Sequence, residues 1–119
     1  MCRPLAVLVV AAALIGVSPA GAHSLLLESS PPAGSVVTGT PPRVSLRFNN
    51  RIETKLSRLR LVDSRGGARE LAVTGIDGAP DRLTAGVPSL GAGGYRVEWQ
   101  VLSTDGHIVS GRFSFRVSP

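Results

Sequence analysis

The chain has 119 residues, a formal net charge of +5, one cysteine, one methionine and two histidines. A single cysteine, at position 2, excludes an intrachain disulfide framework and a thiolate metal cluster. The length suits one domain, whose modest core must be held by packing alone.

The first segment reads as a targeting signal. Arg3 precedes the apolar run Leu5 to Val17, Ser18 and Pro19 break it, and Ala20-Gly21-Ala22 supplies the small-residue pattern that signal peptidase reads. The run falls short of the roughly 20 residues a membrane span needs. Residues 1–22 are therefore expected to be removed on export, carrying Met1 and Cys2 with them, to leave residues 23–119 as a soluble mature domain. Cleavage after Ala22 makes His23 the new N-terminus, where one residue offers a metal both its α-amino nitrogen and its imidazole.

Beyond the signal the chain reads as strands. Candidates are Ser24 to Glu28, Arg43 to Asn49, Leu56 to Val62, Glu70 to Thr74, Arg82 to Val87, Tyr95 to Leu102 and Ile108 to Val117, with turn-rich pieces between them such as Ser64-Arg65-Gly66-Gly67. No window outside the signal has helical periodicity. About seven short strands at regular spacing predict an all-β, immunoglobulin-like Greek-key β-sandwich. Tyr95, Val97, Trp99 and Val101 share one face and, with Phe48, Phe113 and Phe115, supply most of the core; Leu90 to Tyr95 resembles the approach to a tyrosine corner.

The positive balance is nearly all arginine, and its spacing argues against a nucleic-acid surface. Arg43 and Arg47 alternate with Val44, Leu46 and Phe48, Arg58 and Arg60 with Leu59 and Leu61, and Arg112 and Arg116 with Phe113, Phe115 and Val117. At period two these arginines decorate the solvent side of strands, the competing reading being a docking surface for an acidic partner.

The second histidine lies in Ser103-Thr104-Asp105-Gly106-His107. In an extended segment, residues two apart point to the same side, so Asp105 and His107 can converge on one ion while Gly106 lets backbone come close. The plainer reading is a surface turn with an incidental histidine. Against it stands the placement of the chain's two histidines, neither of which packing requires.

These residues also carry a family resemblance. His23, Ser29-Ser30-Pro31-Pro32-Ala33-Gly34-Ser35, Pro42 to Phe48, Gly94-Tyr95-Arg96-Val97-Glu98-Trp99 and Ser103 to Phe115 resemble, in order and over essentially the whole mature chain, the CopC/YobA/PcoC family of periplasmic copper-resistance proteins. The resemblance implies a β-sandwich in the periplasm that is not an enzyme and binds one Cu(II) through the amine and ring of His23 and through Asp105 and His107. It implies a role in copper sequestration, resistance or delivery to a CopD-like inner-membrane importer. Three nitrogens and one carboxylate oxygen suit tetragonal Cu(II), whereas zinc prefers a tetrahedron. Glu28 reads as an exposed strand residue rather than a support for the site.

Two departures from the family stand out. Some members carry a methionine-rich loop for Cu(I), but Met1 is the chain's one methionine and leaves with the signal, so the mature chain is expected to bind Cu(II) alone. Asn49-Asn50-Arg51-Ile52 stands where the family often has Ser-Glu-Pro and an apolar residue, at a distance in sequence from the expected ligands.

Two other function classes compete. An N-terminal histidine with a second histidine also makes the histidine brace of copper monooxygenases; against it, the mature chain is small, its aromatic residues are claimed by the core, and Asp105 fills the copper plane. A metal-free immunoglobulin-like interaction module leaves the placement of both histidines without a reason.

Overall fold

The computed structural model describes residues 25–119; the expected signal segment 1–22 and His23 lie outside the described residues. Within them the chain forms nine strands: β1 Leu26–Ser30, β2 Val36–Thr38, β3 Arg43–Phe48, β4 Arg58–Asp63, β5 Ala68–Leu71, β6 Val73–Ile76, β7 Ala79–Gly86, β8 Gly93–Leu102 and β9 Ile108–Ser118. A 3-10 turn, Thr54–Leu56, precedes β4.

The strands build a four-stranded sheet in the order β1-β3-β7-β6 and a five-stranded sheet in the order β2-β9-β8-β4-β5. Every neighbouring pair is antiparallel except β2 with β9. The expected immunoglobulin-like sandwich is what forms, with strand boundaries that differ in two places. The expected strand Glu70 to Thr74 is two strands: Leu71 pairs with Leu59 in one sheet, and Val73 pairs with Ala85 in the other. The chain thus changes sheets at Ala72, and since Leu71 and Val73 both turn toward the interior, the hydrophobic alternation runs through the crossing without a mark. Strand β2 was not expected, because its three residues are exposed or half-buried and carry no apolar alternation that a core would demand.

Period-two alternation decides what faces inward. In β3, Val44, Leu46 and Phe48 are buried while Arg43, Ser45 and Arg47 are not; in β9, Phe113, Phe115 and Val117 are buried while Arg112, Ser114 and Arg116 are exposed. The core joins Val44, Leu46, Phe48, Leu83 and Ala85 of one sheet to Leu59, Leu61, Val97, Trp99, Val101, Phe113 and Phe115 of the other. Phe48 meets Trp99 edge to face across this layer, with ring centroids 5.2 Å apart. Full burial of a side chain such as Phe48 stabilises by about 2–3 kcal/mol. The Tyr95 hydroxyl donates to the Gly91 carbonyl at 2.7 Å, as the tyrosine-corner reading anticipated, while its ring stacks on Phe115.

Arginines on the outer faces take cross-strand carboxylates where they exist. Arg47 pairs with Glu28, Arg58 with Glu70, and Arg60 with Glu98. Glu28 is thus an exposed residue of the four-stranded sheet, as expected.

Candidate metal centre

The motif around His107 is the tip of the β8–β9 hairpin. The two longest strands run in register from Gly93 with Val117 to Leu102 with Ile108, and the chain reverses between Ser103 and His107. The Ser103 amide donates to the His107 carbonyl at 2.9 Å, and the Gly106 amide donates to the Ser103 carbonyl at 3.0 Å. Gly106 has φ 84°, a left-handed conformation that a side chain would strain. A turn closed by a left-handed glycine is a common hairpin connection.

Of the two backbone readings of this triplet, extended segment or surface turn, the turn is what forms: Thr104 and Asp105 are turn residues and Gly106 a bend. The two side chains still converge, by another route. Asp105 Oδ1 accepts the His107 backbone amide at 3.1 Å, which folds the carboxylate back over the turn, and Asp105 Oδ2 then lies 3.0 Å from His107 Nδ1. The Asp105 side chain is 22% exposed and the His107 side chain 65% exposed, so the carboxylate is sheltered and the ring stands toward solvent.

A nitrogen and a carboxylate oxygen facing each other are donors that a divalent copper ion accepts. Two donors each about 2 Å from one ion, at right angles in its plane, lie about 2.8 Å apart. The facing Oδ2 and Nδ1 atoms of Asp105 and His107 are at nearly that separation. In the metal-free chain a proton on Nδ1 donates to the same carboxylate, which holds the ring in place. Among the described residues no cluster of three or more histidine, cysteine or acidic side chains occurs; Asp105 and His107 are a pair. The third expected ligand, His23, lies outside the described residues.

Leu25, the first described residue, is tied to this end of the sandwich by a segment to which the sequence assigned no role. Asn49, at the end of β3, accepts the Leu25 amide on its side-chain oxygen at 2.7 Å and donates its own amide to the Leu25 carbonyl at 3.0 Å. Three residues on, Ile52 bridges Ser103, and the Glu53 amide donates to the Leu102 carbonyl at 3.0 Å. Residues 49–53 therefore moor both the start of β1 and the base of the Ser103–His107 turn. The stretch that departs from the family pattern thus touches both Leu25 and the base of the hairpin tip. A paired Asn-Asn at a strand end was the one available signal, and by itself it reads as ordinary turn material.

Comparison with known proteins agrees with the fold. Residues 26–118 match the model of the CopC domain. Copper resistance protein C of Xanthomonas campestris pv. juglandis is 34% identical over 119 aligned residues, covering 93% of this chain and 91% of the relative. Among solved structures, CopC from Methylosinus trichosporium OB3b superposes with a TM-score of 0.75 at 38% identity, covering 82% of this chain and 95% of that one. PcoC, a methionine-rich copper resistance protein from Escherichia coli, superposes with a TM-score of 0.69 at 28% identity, covering 82% of this chain and all of its own. The chain therefore belongs to the CopC family of copper-resistance proteins, which bind copper and are not enzymes.

Proposed function

We propose that residues 1–22 are removed on export and that the mature chain, beginning at His23, binds one Cu(II) ion in the periplasm through the amine and imidazole of His23, the carboxylate of Asp105 and the imidazole of His107. The observation that carries this reading is the facing pair at the hairpin tip, Asp105 Oδ2 and His107 Nδ1 at 3.0 Å. Its setting supports a fourfold plane, because Asn49 ties Leu25, two residues after His23, to the segment that also holds Ser103. With no methionine or cysteine after residue 2, the mature chain has no soft sulfur donor to favour Cu(I).

We further propose that the bound ion is handed to a CopD-like membrane protein rather than retained. Supporting this, His107 is on an exposed tip and the apolar side chains next to the site are open: Leu25 is 59% exposed and Ile108 is 64% exposed. Exposed apolar side chains beside a metal site suit a surface that docks during transfer.

Titration of the mature chain with Cu(II), read by electron paramagnetic resonance, tests the site. One tight equivalent with hyperfine splitting from three nitrogens is expected. Copper that stays in the solution signal through the first equivalent would refute the reading.

A further inference from the structure

The outer face of the five-stranded sheet carries more positive charge than its carboxylates balance. Arg58, Arg60, Arg96, Arg112 and Arg116 point outward there, against Glu70 and Glu98. Arg60 holds one oxygen of Glu98, and Arg96 reaches the other only through Nη2 at 3.5 Å. Among the described residues no carboxylate pairs with Arg116.

Arg116 and the weakly held Arg96 line one groove, at the end of the sheet away from the hairpin tip. It is lined by Ser35, Val62, Gly94, Arg96, Ser114 and Arg116, with the β4–β5 turn at its far side. Strand pairing explains the gathering: Val62 is opposite Arg96, Arg96 opposite Ser114, and Arg116 opposite Gly94, while the Arg116 amide donates to the Ser35 carbonyl. Gly94 has no side chain to fill the space under Arg116, whose Nη1 would lie 3.3 Å from a Cβ placed there.

Two polar atoms in this groove are buried without a hydrogen-bond partner, Arg96 Nε and Ser35 Oγ. A desolvated donor with nothing to donate to costs about 1–3 kcal/mol, more when it carries charge. Native proteins seldom leave such a group unsatisfied. The Arg96 side chain as a whole is 41% exposed, so it and a second guanidinium, Arg116, present donors to the groove while Nε itself is covered. One carboxylate, Asp63, also lines the groove; its Oδ1 accepts the Arg65 and Gly67 amides of the β4–β5 turn, and the two guanidiniums outweigh its single charge.

We propose that this groove is an oxyanion site, in which Arg96, Arg116 and the Ser35 hydroxyl hold a carboxylate or phosphate group. Guanidinium pairs and hydroxyls are the donors that such groups select, since charge-assisted bonds to them are about twice as strong as neutral ones. The site lies roughly 20 Å along β8 from the copper-binding tip, at about 3.3 Å per residue between Arg96 and Leu102. Anion and copper therefore bind independently.

The test is a titration of the mature chain followed by nuclear magnetic resonance, one arm with sodium phosphate and one with sodium glutarate, each at ionic strength held constant with sodium chloride. Saturable shifts of the Arg96 Nε–H and the Ser35 amide are expected in at least one arm, and which arm saturates identifies the anion. Arg116→Gln and Arg96→Gln should each weaken binding at least tenfold and Ser35→Ala severalfold, while Arg112→Gln, outside the groove, leaves it unchanged. Copper affinity should be the same in all four. Shifts that rise linearly without saturation in both arms, or saturable binding equally strong in Arg96→Gln and Arg116→Gln, would overturn the proposal.

Discussion

Asp105 holds His107 twice, through the backbone amide on Oδ1 at 3.1 Å and through the ring nitrogen beside Oδ2 at 3.0 Å. The first bond sets the turn and the second sets the ring, so one carboxylate both shapes the hairpin tip and stands beside the nitrogen with which it would share an ion. Asp105→Asn separates these roles: its amide oxygen can still accept the His107 amide, but the negative charge that favours Cu(II) is gone. Copper affinity should fall by at least 10–100-fold, while the urea midpoint changes little because the side chain is outside the core. His107→Ala should be at least as severe. Competition titration against a chelator measures both, and wild-type affinity in the two variants would remove the hairpin tip from the site.

Asn49 provides a test of the mooring. Asn49→Ala deletes the acceptor of the Leu25 amide while leaving every expected ligand in place. One hydrogen bond contributes about 1 kcal/mol, which corresponds to roughly fivefold in an affinity that depends on the N-terminal segment being held. A fivefold loss in Cu(II) affinity is expected by the same competition assay, with the electron paramagnetic resonance spectrum unchanged at saturation. An unaltered affinity would mean that the segment finds its place without Asn49.

Much of this was legible in the sequence, for a physical reason: a half-buried strand writes its period into the chain. Val97, Trp99 and Val101 on β8, and Phe113, Phe115 and Val117 on β9, bury alternate side chains, and both strands were expected nearly to the residue. Where burial does not alternate, the signal fades. Exposed Val36 and Thr38 hid β2, and Leu71 with Val73 hid the change of sheets. Residue types singled out Asp105 and His107 as candidates but left two backbone readings, an extended segment or a surface turn; the turn is what forms, because Gly106 at φ 84° and the Asp105 side chain together favour it. Asn49 was out of reach altogether, since its partner is 24 residues away.

Gly111 is opposite Trp99 in the β8–β9 ladder, and the indole lies across it. A Cβ at position 111 would overlap Trp99 Cζ2, and the ring also packs edge to face with Phe48. Gly111→Ala is expected to destabilise by about 1–3 kcal/mol, the usual cost of overpacking a filled core, and Gly111→Val by more. Urea unfolding followed by Trp99 fluorescence measures the effect. A Gly111→Val protein as stable as the wild type would contradict the close approach of ring and backbone.

The outer-face ion pairs predict a small acid dependence. The Arg60 hydrogen bond, ahead of the charges of Arg60 and Arg96, lowers the Glu98 pKa from its ordinary value; the Arg47 hydrogen bond does the same for Glu28. A carboxylate whose pKa is lower when folded stabilises the protein above its unfolded pKa of about 4.3, and that contribution is lost as the pH falls through the folded value. Exposure and salt keep it small. Glu98→Gln should therefore lower the urea midpoint slightly at neutral pH and not at all once both carboxylates are protonated. A deficit that persists at the acid extreme would assign the effect to packing instead of charge.

The central claim is that the first residue of the processed chain is a copper ligand through its own amine. If so, the chain beginning at His23 and the same chain with one extra glycine ahead of it must differ, because the extra residue turns a basic amine into an amide that no longer competes well for the ion. The decisive measurement is Cu(II) affinity and the electron paramagnetic resonance spectrum of these two proteins side by side. The account predicts one tightly bound ion with three-nitrogen splitting in the first, and binding weaker by at least 100-fold with an altered spectrum in the second, at equal urea midpoints. Identical affinity and identical spectra in the two proteins would contradict it.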